Sequence, residues 1–152
     1  MKTKKYLLVG ALILSFSTPA IAQNDGYKAA LNPIISAIEA APNDAKAGKD
    51  LIKEYLKVYK KDEEALTALG NVYLAQRNFT EAMKVANSIV TNKKMNGTLE
   101  YLLLGDIVAL QDSVGNAGAA AQHYATAISL DPHNVAAYER YDKVYRHVNP
   151  AV

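Results

Sequence analysis

His123, His133 and His147 are the side chains best suited to hold a metal or move a proton in this chain of 152 residues. Neither a His-Glu-x-x-His pattern nor any paired-ligand spacing connects them, so the residue types are present without the geometry that zinc requires. Asp106 and Asp112 stand six apart but lack the alternating oxygen ligands of a calcium loop. Gly115 to Gly118 is not followed by Lys-Ser/Thr and reads as a flexible turn, not as a phosphate cradle. The serines fall in helical or loop stretches without the context of a nucleophile elbow. No catalytic, cofactor or metal constellation emerges, and the chain is not expected to be an enzyme. Binding is the chemistry left to it.

The first twenty-two residues stand apart from the rest. Three lysines lie within Met1 to Lys5, Tyr6 to Ser17 is almost wholly apolar, and Thr18 to Ala22 ends in small residues. That order is the pattern of a cleaved export signal, with the cut between Ala22 and Gln23. The apolar run is short of the roughly 20 residues that span a bilayer, so no stable membrane insertion is expected after cleavage. Removing residues 1–22 takes away three lysines and leaves 14 basic against 15 acidic residues, a net charge of −1. The pI near 8.7 therefore belongs largely to the signal, and no basic surface remains for nucleic acid. There is no cysteine, so an exported domain would depend on its hydrophobic core alone. The expected location is the periplasm or an equivalent secreted space.

The remaining 130 residues, 23–152, read as one all-α domain. Gln23 to Gly26 is polar and expected to be a loose start. Leu31, Ile34, Ile35 and Ile38 fall at helical spacing, with Asn32-Pro33 suited to a cap and first helical position. Pro42-Asn43-Asp44 should end that helix and cap a second, whose apolar side carries Leu51, Ile52, Tyr55, Leu56 and Tyr59. Asp62-Glu63-Glu64 puts acids in the first turn of a third, where the helix dipole favours them. Arg77-Asn78 is a turn, and Phe79 to Val90 returns. Tyr101, Leu104 and Val108 mark a fifth helix, Ala120 to Leu130 a sixth, and Asn134 to about His147 a seventh. Asp131-Pro132 stops the sixth and Asn134 can cap the seventh.

Overlaying Gly70 on Gly105 exposes a repeat of 35 residues, each glycine preceded at four and one by apolar groups: Leu66 and Leu69, then Tyr101 and Leu104. Thirty-seven further on stands Asp142, preceded by Tyr138 and Tyr141. A period near 34 built of paired helices resembles the tetratricopeptide repeat. Residues 63–97 carry that family's positions as Leu66, Leu69, Gly70, Tyr73 and Ala82, with Lys94 where proline is usual. Residues 98–134 carry Tyr101, Leu104, Gly105, Ala120, Tyr124, Ala127 and Pro132. Residues 29–62 keep the period with little of the motif, and 135–148 supply only a first helix, with Asp142 in place of glycine. The resemblance implies a right-handed solenoid of antiparallel helix pairs.

It also implies a concave groove lined by first helices. By register the groove residues are Glu64, Thr67, Asn71 and Leu74, then Leu99, Leu102, Asp106 and Ala109, then Glu139, Lys143 and Arg146. That surface suits an extended or helical peptide with apolar anchors. The lysine-and-asparagine clamp that some family members use for C-terminal carboxylates is unmatched, since Pro33 and Ala37 hold its places. The implied function is a non-catalytic protein–protein scaffold, with an assembly module at the front of a longer array as the other reading. Tyr138, Tyr141 and Tyr145 would form an exposed stacking or docking patch, or pack back on Tyr124 and Ile128. Asp112-Ser113-Val114 resembles the acceptor of protein O-glycosylation in Bacteroidetes, and the lysine-rich signal with its Ala-Gln junction resembles exported proteins of that group. Ser113 is the residue that would be modified.

Overall fold

The computed structural model describes residues 23–42, 44, 46–92, 95, 97–111 and 117–148. The expected export signal with Ala22, the expected acceptor Ser113, and Lys94 lie outside the described residues. Among those described there are seven helices and no strand: α1 (Gln23–Ala40), α2 (Lys49–Tyr59), α3 (Glu63–Ala75), α4 (Phe79–Val90), α5 (Leu99–Gln111), α6 (Ala117–Leu130) and α7 (Val135–Val148).

The helix boundaries follow their caps, with three departures from the sequence reading. α1 begins at Gln23 instead of near Pro33, which sits inside it. A proline there forfeits a backbone hydrogen bond and costs about 3 kcal/mol. Burying Tyr27, Leu31 and Ile34 against Tyr55, Leu66 and Leu69, at about 1.5–3 kcal/mol for each large side chain, outweighs that loss. α2 begins at Lys49 and not beside Asn43-Asp44. The Asp44 carboxylate accepts the Lys46 amide at 2.8 Å and is spent on its own turn, so Gly48 serves as cap in the left-handed conformation, with φ +70°. α6 starts at Ala117, ahead of Ala120, and takes Gly118 into its first turn.

Elsewhere the caps are those the residues suggest. Asp62 accepts the Ala65 amide at 3.0 Å, Asn78 accepts Glu81 at 3.3 Å, and Asn134 accepts Ala137 at 3.2 Å. The α3–α4 turn is closed by the Asn78 amide donating to the Tyr73 carbonyl and Arg77 donating to Leu74, each at 2.9 Å. That is the double bond of a Schellman motif, whose left-handed position belongs by preference to glycine. Here Arg77 takes it, at φ 54°.

The core is divided into three clusters staggered along the chain. Ile34, Tyr55, Leu69 and Ile89 join α1 to α4. Leu74, Ala82, Ala86, Leu103 and Ile107 join α3, α4 and α5. Leu102, Ala120, Tyr124, Ala127, Ala137 and Val144 join α5, α6 and α7. Gly70 and Gly105 matter for what lies on them. A Cβ on Gly105 would fall 2.7 Å from two atoms of the Tyr124 ring, whereas Gly70 is covered by the end of Leu103. Ala82 and Ala120 hold like places in α4 and α6, but four residues later α4 has Ala86 where α6 has Tyr124. Without a ring from its own partner helix, Gly70 is filled from the next first helix.

Polar contacts recur along one rim. Glu63 accepts the Leu99 amide at 3.3 Å, and the Asn134 side-chain amide donates to the Thr98 hydroxyl at 3.0 Å. Both contacts join residues 36 apart, at successive starts of odd-numbered helices.

Two substitutions test these packing statements by urea denaturation. Arg77→Gly should raise stability by about 0.5–1 kcal/mol, because relief of the left-handed strain exceeds the entropy glycine adds to the unfolded chain. Gly105→Ala should lower it by about 2 kcal/mol, since the Tyr124 ring has to move; Gly118→Ala, which meets nothing within 4 Å, is the matched control and should not destabilise.

Candidate functional site

The last turns of α3 and α5, the α6 residues Ala117 and Tyr124, and the middle of α7 leave a groove of about 630 Å³. Leu74 closes it on the α3 side. Ala109 and Leu110 of α5, with Ala117 and Tyr124 of α6, form its apolar floor, and Glu139, Arg140, Lys143 and Val144 of α7 form the far wall. The volume lies within the range of peptide- and ligand-sized clefts, and an apolar floor with few charged groups is how such clefts are commonly built. Leu110 is half exposed, at 50%, so an apolar anchor is offered to solvent on a rigid helix.

One hydrogen-bonded group fixes the wall. Arg140 donates through Nε to both carboxylate oxygens of Asp106, at 3.0 and 3.1 Å, and through Nη1 to the Ala136 carbonyl at 3.3 Å. The buried Tyr124 hydroxyl donates to the same carboxylate at 2.8 Å. Asp106 therefore accepts from α6 and from α7 at once, in a site where its side chain is only 24% exposed. Burial pushes the Tyr124 hydroxyl well above the usual phenol range, with the Asp106 charge adding to the rise and Arg140 opposing it. The phenol is thus a fixed donor at every physiological pH, and the three residues hold α5, α6 and α7 in one arrangement.

Five of the residues expected by register meet in this groove: Leu74, Asp106, Ala109, Glu139 and Lys143. Thr67 and Leu102 are not on an open face. Leu102 is 7% exposed and packs among Tyr124, Ala127 and Val144, and Thr67 is buried with its hydroxyl unpartnered. The register placed them outward, but α3 and α5 are covered on more than one side. Leu99 is half-buried against the same cluster as Leu102. Glu64, Asn71 and Arg146 are exposed and stand outside the groove lining; Arg146 pairs with Asp142 at 2.8 Å. The tyrosines divide. Tyr141 packs on the cluster that holds Tyr124 and Ile128, while Tyr138 is 47% exposed and Tyr145 stacks on Tyr141 at 5.7 Å.

Leu110, Ala117, Tyr124, Arg140 and Val144 line the groove and were missed by register. Arg140 carried a readable signal, an opposite charge 34 residues after Asp106. Val144 and Ala117 carried none, because an apolar residue at helical spacing reads as core. Among the described residues no group of three or more His, Cys, Asp or Glu is placed to hold a metal, and no helix is long and apolar enough to cross a membrane. His123 is half-buried, and burial lowers its pKa, so it favours the neutral form. No protein-family model matches the chain, and neither does any curated protein or solved structure.

Tyr124→Phe keeps the ring over Gly105 and deletes one donor to Asp106. It should cost about 1–2 kcal/mol in urea denaturation, with the helical circular dichroism spectrum unchanged. A cost near zero would show that the hydroxyl does not hold the wall.

Proposed function

We propose that this protein is a non-catalytic scaffold that binds a peptide segment of a partner protein in the groove between α3, α5 and α7. The observation that carries the reading is the groove itself: an apolar floor with a half-exposed leucine, and a charged wall fixed by Asp106, Arg140 and Tyr124. A fixed wall lowers the ordering cost of binding, and one or two apolar anchors then supply most of the affinity. Glu139 and Lys143, one turn apart on α7, would set direction by pairing with charges beside the anchor.

The architecture behind this reading is a tetratricopeptide-type solenoid. Its support is the spacing of the contacts between odd-numbered helices, 36, 36 and 34 residues for Glu63–Leu99, Thr98–Asn134 and Asp106–Arg140. The staggered clusters agree, since each helix pair of a repeat stack completes its neighbour's core. We place the protein in the periplasm or an equivalent exported space on the strength of the Met1 to Ala22 pattern. A second reading, an assembly module within a longer array, is favoured by the exposed Val135 and Tyr138 of α7, at 67% and 47%; neighbouring helices of such an array would cover them.

Peptides selected from a displayed library against the immobilised chain should require the groove. Leu110→Asp should weaken the selected peptides at least tenfold, or about 1.4 kcal/mol, and Lys143→Glu should do so for those carrying an acid beside the anchor. Val58→Asp, on an exposed part of α2, should leave affinity unchanged. Equal affinity in Leu110→Asp and wild type would reject the groove as the site.

A further inference from the structure

At the opposite ends of α3 and α5 from the groove, two carboxyl groups meet. Glu100 lies in the first turn of α5, a place where an acid normally faces water near the helix dipole. Instead it is 3% exposed, and its Oε2 has no hydrogen-bond partner. Glu63, the first residue of α3, lays its carboxylate over the start of α5, accepts the Leu99 amide and fills the space beside Gly97 that any Cβ would need. Glu100 touches that carboxylate as a hydrogen-bond partner and as a like charge. Thr67, one turn after Glu63 on the same face of α3, is likewise buried with an unpartnered hydroxyl.

The other charged groups of the packed elements lie elsewhere. Lys60 and Lys61, ahead of α3, are exposed, and Asp62 is occupied with the Ala65 amide. On α4, Glu81 and Lys84 pair with each other near the far end from α5's start. α6 offers His123 near its middle, and the first turn of α7, Val135 to Tyr138, has no charge. In the α6–α7 turn, beside Thr98, Asp131 accepts the amide of the exposed His133. Lys93 and Lys94 lie outside the described residues. Two carboxyl groups in contact, one of them shut off from water, are most stable with a single proton between them.

We propose that Glu63 and Glu100 form a proton-operated joint between the starts of α3 and α5. With one proton shared, Glu100 donates to Glu63 and the joint is closed. With both ionised, the two charges repel, the buried Glu100 carboxylate has lost its solvation, and the start of α5 loosens from α3. Burial pushes the Glu100 carboxyl up to about 7 from its ordinary 4.5; a hydrogen bond from its own backbone amide opposes the rise, and the hydrogen bond and charge of Glu63 add to it. Between those values the folded chain holds a proton that the unfolded chain has released, so the joint's contribution is complete below pH 4.5 and is lost as pH rises through 7.

The test follows the full chain from pH 5 to 9 in EDTA, by urea denaturation and by carbon-13 titration of the glutamate carboxyls, with Glu100→Gln and Glu63→Gln beside it. The wild-type folding constant should fall roughly ten- to a hundredfold more across this range than that of Glu100→Gln, whose amide still donates to Glu63 but does not titrate. The Glu100 carboxyl should titrate near neutrality, and Glu63→Gln should bring its midpoint down. Equal pH dependence in wild type and Glu100→Gln would overturn the joint. If Glu100→Gln does not fold, the wild-type carboxyl titration decides, and a Glu100 midpoint at or below 4.5 overturns it. Stabilisation of the wild type by millimolar calcium or magnesium at pH 8, absent in Glu63→Gln, would also overturn it and assign the pair to a cation.

Discussion

Tyr124 is the residue on which the C-terminal half of the molecule depends. Its ring needs the missing side chain of Gly105 in order to approach α5, and its hydroxyl needs Asp106 in order to be buried at all. An aromatic ring with one polar end is an efficient tie because its apolar area drives burial and its single donor fixes orientation. Asp106 then accepts Arg140, so the orientation of α6 on α5 becomes the position of α7. The groove beside them is a consequence: α7 is held by its inner turns, and the later turns of α3 and α5 are left with Leu74 and Leu110 facing the gap.

The N-terminal half solves the same packing problem differently. Where α6 presents a tyrosine, α4 presents Ala86, and Gly70 receives Leu103 from the following helix. α3 is thereby locked to α5 more directly than to a ring of its own partner. Tyr55 supplies the comparable tie further back, donating to the Ala65 carbonyl at 2.8 Å while buried among α1 and α3 side chains. Each cluster borrows a surface from the next, so no helix pair is complete alone. This is the condition under which short helices of eleven to eighteen residues hold together without disulfides.

Much of this is legible in the sequence, and what is not has definable causes. α3, α4 and α7 announce themselves through Asp62, Asn78 and Asn134, residues whose side chains can satisfy the first free amides of a helix. The glycine register points to close approaches at Gly70 and Gly105 because nothing else explains small residues amid leucines. The start of α1 is illegible because burial of Tyr27 overrides a proline signal, which is a tertiary effect. At the site, Asp106 and Lys143 could be found by period. Leu102 and Thr67 could not be told from groove residues, since α5 is apolar nearly all round and periodicity then carries no direction. The buried Glu100 is invisible for the converse reason: a glutamate in a first helical turn ordinarily signals solvent.

Methyl NMR of the leucine- and valine-labelled chain addresses directly whether a partner segment sits in the gap between α3, α5 and α7. On adding a peptide selected for binding, the account predicts that the largest shifts fall on Leu74, Leu110 and Val144, with Leu51 and Val58 of α2 unmoved. Shifts concentrated on Val135 and Leu130, or on α2, with Leu110 and Val144 unchanged, would contradict it and place recognition on another face of the molecule.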